Sequence, residues 1–223
     1  MAAIHFDPET HVYTTDDGTT VPSVTQRIRR AGLLGPAAQF YTPESAYRGM
    51  TIHRGCDHHD QGRHRDTAAF LKSEYGGYLT SYIRWCNVME PVWTAIETPQ
   101  YSPRYETAGT PDRIGTIGRL PVILDLKSGG KAHWHGIQLS LYALIQESDI
   151  PPRNFRRIAL YLRSNGRMAQ SVEYTSNYDY IQALALIAPS QETPDATDPD
   201  DLPNDRDDDD GPPAATGPQK ADA

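Results

Sequence analysis

Two carboxylates and one lysine are spaced in a way that could assemble a small reactive centre. Asp125 and Lys127 lie two residues apart in the largely apolar segment 123–127, and side chains two apart on a β-strand point to the same face of a sheet. Asp112 lies thirteen residues before Asp125, in a stretch, 109–113, that is predicted to occupy the preceding strand. If the two strands pair as a hairpin, both carboxylates reach the same place.

Two carboxylates held so close favour a bound divalent cation. Without one, their charges repel each other and raise the pKa of each carboxyl group. Mg²⁺ and Mn²⁺ take oxygen ligands and leave coordination positions for water and phosphate. Such an ion activates a bound water and offsets charge on a phosphate, while Lys127 orients the water or stabilises the transition state. The alternative is that the Asp-x-Lys triplet is an ordinary surface ion pair.

The elements that must position these residues follow from the periodicity of the apolar residues. Helices are predicted at 24–34 with Ser23 as the N-cap, at 43–62 with Thr42 as the N-cap, and at 78–89, 134–146 and 178–188. A period of two predicts strands at 92–97, 105–109, 113–117, 121–127, 157–163 and 169–174, and an N-terminal hairpin from segments 4–6 and 11–13. This order predicts an α/β fold with a mixed central β-sheet flanked by α-helices.

The charge of the chain is concentrated at its C-terminal end. The net charge is −8, but residues 190–223 alone contain 11 acidic and two basic residues, which leaves residues 1–189 close to neutral. The last segment is rich in Pro, Asp, Ala, Thr and Gly, and such a composition cannot bury enough apolar surface to fold. One domain is therefore predicted at 1–189, followed by a disordered acidic tail at 190–223. Residues 1–189 contain clustered arginines, at 27–30, 63–65 and 153–157, that could form a phosphate-binding face. The tail either only solvates the protein, or it competes with DNA for this basic face or recruits a partner.

The sequence shows no sign of a membrane segment or a secretory leader. No apolar run approaches the roughly 20 residues that cross a bilayer, and the N-terminus lacks the features of a signal peptide. The two cysteines, Cys56 and Cys86, fit a reducing compartment and are too few for a four-thiolate iron–sulfur cluster or zinc site. We expect a soluble, cytoplasmic protein without an iron–sulfur cluster.

Several motifs together resemble those of a known nuclease group. GTPDRI begins at Gly109, ILDLKSG begins at Ile123, and Gln138 and Tyr142 follow four residues apart on a predicted helix. GMTIHRGC at 49–56 and VPSVT at 21–25 extend the resemblance, which covers roughly residues 20 to 145. The chain resembles the RecB-like, Cas4-like and phage exonuclease branch of the PD-(D/E)xK superfamily. It is most similar to short phage-type members without an iron–sulfur cluster.

The resemblance implies a restriction-endonuclease-like core and a role for each matching residue. The implied ligands of Mg²⁺ or Mn²⁺ are His53, Asp112, Asp125 and the backbone carbonyl of Leu126, with Glu97 as an accessory ligand. Lys127 would be the catalytic lysine. Gln138 and Tyr142 would line the site from one helix face and either contact DNA or fix the geometry of the site. The sequence departs from the group at Ser128, where threonine is common.

The function implied by the resemblance is metal-dependent hydrolysis of DNA in phage or bacterial cells. An exonuclease acting in recombination, replication or DNA processing is expected, with DNA as the main partner and a recombination or single-strand-binding protein as a further one. One alternative is a non-catalytic DNA-binding or assembly protein that keeps the fold. Another is a site-specific endonuclease. The oligomeric state stays open.

Other polar residues allow more than one interpretation. His58, His59 and His64, with Asp57 and Asp60, either form a zinc site or a solvated helix end, and the second is favoured because neighbouring histidines on a helix point in different directions. Trp134, between His133 and His135, either stacks on an unpaired base or belongs to a surface loop. Arg153, Arg156 and Arg157 either follow a DNA backbone or only aid solubility.

Overall fold

The computed structural model describes residues 4–8, 10–35, 42–146 and 148–188, and the tail predicted at 190–223 lies outside them. The chain begins with a small antiparallel sheet and four helices, and then alternates between strands and two further helices. The elements are β1 (Ile4–Asp7), β2 (Val12–Thr15), β3 (Thr20–Val21), α1 (Val24–Arg30), α2 (Pro43–Asp60), α3 (His64–Phe70), α4 (Gly76–Met89), β4 (Pro91–Ile96), β5 (Gln100–Ser102), β6 (Thr107–Gly109), β7 (Arg113–Ile117), β8 (Leu120–Lys127), α5 (Trp134–Ile145), β9 (Arg156–Tyr161), β10 (Gln170–Glu173) and α6 (Asn177–Ile187).

A mixed five-stranded sheet forms the centre of the fold. Its strand order is β10-β9-β8-β7-β4, with β8 and β9 parallel and the other neighbours antiparallel. Helices α1, α5 and α6 contribute to the core on one face, and α2 and α4 to the core on the other. The predicted α/β fold with a mixed sheet flanked by helices is therefore confirmed. Among the described residues, no helix has the length and apolar character needed to span a bilayer.

Strand β8 supplies side chains to both cores. Leu124 and Leu126 are buried against α2 and α4, whereas Ile123 packs with α1 and α5. Asp125 and Lys127 have the same parity as Ile123 and therefore face α5. Burying one such apolar side chain stabilises the fold by roughly 1.5–3 kcal/mol. A shift of one residue would turn the charged pair into the apolar core, so the pairing register is strongly specified.

The two predicted N-caps are confirmed, but α1 is shorter than expected. Ser23 and Thr42 each accept a hydrogen bond from the backbone N–H three residues later, and the side chains of Gln26 and Ser45 complete the capping boxes. Helix α1 ends at Arg30 rather than at residue 34. The reason is that Gly32 already adopts a left-handed conformation, with φ +68°, and ends the helix before the predicted stop at residue 35.

Three further elements differ from the prediction. Helix α3 was not expected, and it has no side-chain N-cap that would mark its start. The N-terminal hairpin has a third strand, β3. The strand expected at 105–109 is limited to β6 and pairs with β5, outside the central sheet.

Gly115 lies at a close approach between β7 and β4. It pairs with Trp93, next to a register shift between Trp93 and Ala95. A Cβ atom on Gly115 would lie 2.1 Å from the carbonyl oxygen of Val92. Because that neighbour is backbone, the side chain can only be accommodated if the sheet moves.

We predict that Gly115→Ala lowers the free energy of unfolding by at least about 2 kcal/mol, since the added methyl group forces β4 and β7 apart. The matched control is Gly49→Ala in α2, where a Cβ meets no atom within 4 Å and the higher helix propensity should stabilise by about 0.5–1 kcal/mol. Urea denaturation measures both. Equal stability of the Gly115→Ala and wild-type proteins would contradict the close strand approach.

Candidate metal centre

The β7–β8 hairpin brings the two aspartates together. Arg113 pairs with Leu124, so Asp112, immediately before β7, lies across from Asp125. The Asp112 Oδ2 atom accepts a hydrogen bond of 2.5 Å from the backbone N–H of Leu126. The predicted hairpin is therefore confirmed.

The prediction that segment 109–113 occupies a single strand is wrong. Strand β6 ends at Gly109 and β7 begins at Arg113, and the residues between them cross from the two-stranded sheet to the central sheet. Pro111 has no backbone N–H to donate to a ladder, which favours such a crossing over a continuous strand. Asp112 therefore lies immediately before the first residue of β7.

Lys127 and Asp125 share one face of β8, as predicted. Lys127 Nζ lies 2.5 Å from Asp125 Oδ2 and donates a hydrogen bond of 2.9 Å to Gln138 Oε1 on α5. Gln138 Nε2 in turn donates to the hydroxyl of Tyr142 at 3.3 Å. The two residues expected to line the site therefore hold the lysine in place.

Helix α2 brings His53 to the same location. His53 Nε2 lies 3.2 Å from the carbonyl oxygen of Leu126, and Nδ1 lies 3.3 Å from Glu97 Oε1 and 3.5 Å from Asp112 Oδ1. One ligand atom from each of His53, Glu97 and Asp112 lies within 4.8 Å of the others. Glu97 follows β4 in a left-handed conformation, with φ +45°, and its backbone N–H donates to the Asp112 carbonyl oxygen.

The titratable groups of the site differ in the direction in which their pKa values are shifted. Burial would lower the pKa of His53, but Asp112 and Glu97 raise it well above its usual value. Burial raises the pKa of Glu97. It also raises the pKa of Asp125, which reaches about 6. Burial also acts on Asp112, but His53, Lys127 and the Leu126 N–H lower its pKa below the ordinary value. Asp112 is thus the well-compensated carboxylate, and Asp125 is the poorly compensated one.

Lys127 compensates the buried Asp125 carboxylate only in part. Lys127 Nζ contacts Asp125 Oδ2, yet burial still raises the pKa of Asp125 to about 6. Burying a carboxylate with incomplete compensation has a free-energy cost. A divalent cation that prefers oxygen ligands would offset this cost, so the donor atoms of the site suit a hard divalent metal ion.

A buried arginine anchors α2 to the hairpin. Arg113 has no exposed surface. Its Nε donates to Asp60 Oδ2 at 2.6 Å, its Nη2 to Asp57 Oδ1 at 2.7 Å, and its Nη1 to the Asp112 carbonyl oxygen at 2.6 Å. Asp57 lies one helical turn after His53, so this network sets the position of the histidine. The role of Arg113 has no local signal in the sequence, because Asp57 and Asp60 lie more than 50 residues away along the chain.

The favoured interpretation of residues 57–64 as a solvated helix end is wrong for Asp60. This residue is buried between Arg113 and the hydroxyl of Tyr82, which donates to it at 2.8 Å. His59 and Cys86 place ligand atoms within 4.8 Å of Asp60. Burial raises the pKa of Cys86 to about 12, so its thiol stays protonated and is a poor metal ligand.

Trp134 is not exposed for stacking on a base. Its ring is 5% exposed and lies with its centroid 5.1 Å from Lys127 Nζ. His135 packs against it edge-to-face at 4.4 Å and is itself within 2.7 Å of the Tyr161 hydroxyl. Trp134 begins α5 instead of lying in a loop. Its contact with Lys127 is a cation–π interaction that helps to hold the lysine in place.

Comparison with models of known protein families gives no match, and no curated protein sequence matches the chain.

We predict that Arg113→Met lowers the free energy of unfolding by about 3–5 kcal/mol, because it leaves Asp57 and Asp60 without their cation. Replacing both aspartates by asparagine in the same chain should recover part of the loss. Arg84→Met removes an exposed arginine and should change stability by no more than about 0.5 kcal/mol. Urea denaturation compares the variants, and a loss at Arg113 as small as that at Arg84 would show that the network does not anchor α2.

Proposed function

We propose that this protein is a metal-dependent nuclease of the PD-(D/E)xK type that hydrolyses phosphodiester bonds in DNA. The observation that carries the proposal is the buried convergence of Asp112, Asp125, His53 and Lys127 at one end of the β7–β8 hairpin. Carboxylates, an imidazole and an ammonium group at this distance match the requirements of phosphodiester hydrolysis.

The donor set fits Mg²⁺ or Mn²⁺. By the resemblance, Asp112, Asp125, His53 and the carbonyl oxygen of Leu126 would hold the ion, with Glu97 as an accessory ligand. In the structure, ligand atoms of His53, Glu97 and Asp112 lie within 4.8 Å of one another, whereas Asp125 is paired with Lys127. The pKa of Asp125, raised to about 6 by burial, supports a bound cation, because Lys127 alone does not offset the cost of burying this carboxylate. When bound, the ion would supply an activated water and stabilise charge on the phosphate.

Neighbouring side chains fix the position of Lys127, so that its ammonium group is oriented for contact with a phosphate. Asp125, Gln138 and the ring of Trp134 surround its Nζ atom. Because these contacts restrict the lysine, its charge is already oriented before a substrate arrives. Burial strengthens the interaction of this charge with a phosphate oxygen or an attacking water.

Two parts of the proposal, DNA as the substrate and cleavage from an end, rest on the motifs at 49–56, 109–114 and 123–129, which resemble those of the phage exonuclease branch. This resemblance also supports a role in recombination, replication or DNA processing and a cytoplasmic location. It further supports a recombination or single-strand-binding protein as a partner. The near-neutral charge of residues 1–189 is compatible with a polyanionic substrate, because the acidic excess lies in residues 190–223.

A digestion assay tests the activity directly. Purified protein is incubated with end-labelled linear DNA and with covalently closed circular DNA, in Mg²⁺, in Mn²⁺ and in EDTA. We expect metal-dependent loss of linear DNA, with circles spared. Lys127→Ala should lower the rate by at least about 100-fold, because it removes a preorganised charge from the transition state. Lys72→Ala, which removes an exposed lysine, should cleave at the wild-type rate.

The other outcomes of the digestion assay favour other functions. Cleavage of circles would favour an endonuclease over an exonuclease. DNA binding without cleavage of any substrate would overturn the proposal in favour of a non-catalytic DNA-binding or assembly protein. Equal rates for Lys127→Ala and wild type would exclude this site as the cutting centre.

Metal binding has its own prediction. A saturating concentration of Mn²⁺, about 100 times its dissociation constant, should stabilise the wild-type protein by about 2.7 kcal/mol, because only the folded state assembles the ligands. Asp125→Asn should lose most of this gain. Asp66→Asn, at an exposed carboxylate on α3, should keep it. Thermal unfolding with and without Mn²⁺ measures the difference, and an equal gain in Asp125→Asn would exclude Asp125 as a ligand.

A further inference from the structure

Three arginines that the metal centre does not use surround a small pocket at the opposite end of β9. The pocket has a volume of about 210 Å³ and lies between the 3₁₀ turn Pro152–Asn154, the start of β9, the end of β10 and the start of α6. The residues that define it here are Arg153, Arg156, Arg157, Glu173, Tyr174 and Tyr180.

Arg157 is a buried cation with neutral hydrogen-bond partners. Arg157 is 8% exposed, and its guanidinium donates hydrogen bonds to the Ser140 hydroxyl and to the carbonyl oxygen of Ser176. Within the described ranges, no carboxylate lies in ion-pair contact with Arg157, and Asp179 acts on it only at longer range. Burial lowers the pKa of Arg157, and Asp179 offsets this only in part. A buried charge compensated so weakly favours an anion at the pocket wall.

The other two arginines differ in how they are held. Arg156 forms two hydrogen bonds with Glu173, of 3.1 and 2.7 Å, which join β9 to β10. Arg153 is exposed and lies over the ring of Tyr180, with its Cζ 5.1 Å from the ring centroid. A ring contact restrains a guanidinium without neutralising it. Three cations against one carboxylate therefore leave the pocket lining with two net positive charges.

We propose that this pocket binds a phosphate group, with Arg153 and Arg157 as its main cationic contacts. Guanidinium forks match the geometry of phosphate oxygens. The volume is below the roughly 300–1,000 Å³ of typical small-molecule sites, so it suits a phosphoryl group better than a whole nucleoside. The phosphate belongs either to a nucleic acid backbone or to a free phosphate ion.

The pocket lies at the end of β9 that is remote from the metal centre. Arg157 pairs with Ile123, and Lys127 pairs with Tyr161, so the two basic residues lie four positions, or roughly 13 Å, apart along the sheet. Helix α5 covers the sheet between them, so a nucleic acid that contacts both ends must pass around α5. Only the nucleic acid source rests on the proposed nuclease function, and phosphate binding itself does not.

Calorimetric titration of the full chain with inorganic phosphate, in EDTA and at constant ionic strength, tests the site. We expect saturable binding that Arg153→Gln weakens by about tenfold, as expected for one charged hydrogen-bonding contact. Arg157→Gln should weaken it as well, and circular dichroism checks that this buried variant stays folded. Arg167→Gln changes an exposed arginine outside the pocket and should bind like wild type. No saturable binding, or equal binding by Arg153→Gln and Arg167→Gln, would overturn the proposal.

A second titration identifies the source of the phosphate. If a nucleic acid supplies it, Arg153→Gln lowers the affinity for single-stranded DNA in EDTA and reduces the slope of log affinity against log salt by about 0.7. If free phosphate is the ligand, DNA affinity stays unchanged while the phosphate titration still differs. Neither titration needs the metal centre, so a failure here leaves Lys127-dependent cleavage untouched, and the reverse also holds.

Discussion

The guanidinium of Arg113 has no contact with solvent, so the protein itself must compensate its charge. Asp57 and Asp60 of α2 do so, together with the carbonyl oxygen of Asp112. The same contacts set the height and rotation of α2 above the sheet, and His53 lies on that helix one turn before Asp57. Two candidate ligands from distant parts of the chain, His53 and Asp112, thus depend on one buried charge for their relative position.

The candidate centre combines charges that are costly to bury. Glu97, Asp112 and Asp125 face Lys127 and His53, and both ring nitrogens of His53 face oxygen acceptors. Asp112 and Glu97 raise the pKa of His53 well above its usual value, which favours the charged form of the ring beside these carboxylates. A well-packed apolar cluster would stabilise the fold more. Such a concentration of poorly compensated polar groups is typical of ligand-binding sites, which lower the stability of the fold.

The sequence predicted much of the fold because the relevant signals are local. The capping residues Ser23 and Thr42 mark helix starts within three residues of the bonds they form. The alternation in β8 correctly placed Asp125 and Lys127 on one face, since a period of two needs no knowledge of the rest of the chain. The motif resemblance added His53 and Glu97, which the structure brings within reach of Asp112.

The parts that could not be predicted depend on contacts between distant segments. Periodicity shows which side chains share a face but not what covers that face, so the burial of Trp134 under its neighbours was missed. The pairing of Arg113 with Asp60 spans 53 residues, and no local pattern distinguishes these two from a surface arginine and a solvated helix end. The early end of α1 had a local signal in Gly32, but Gly35 with the proline after it was the stronger one.

The exposure of the site residues indicates the side from which a ligand would have to approach. The side-chain exposure is 4% for Asp125, 9% for Asp112 and 16% for Lys127, but it rises to 26% for His53 and 35% for Glu97. Helix α5 closes the side of Gln138 and Tyr142, so the open side lies between α2 and the end of β4. A substrate would therefore meet Glu97 and His53 first, with Asp125 and Lys127 behind them. This order gives Glu97 a place at the entrance of the site, where its left-handed backbone holds the carboxylate toward His53.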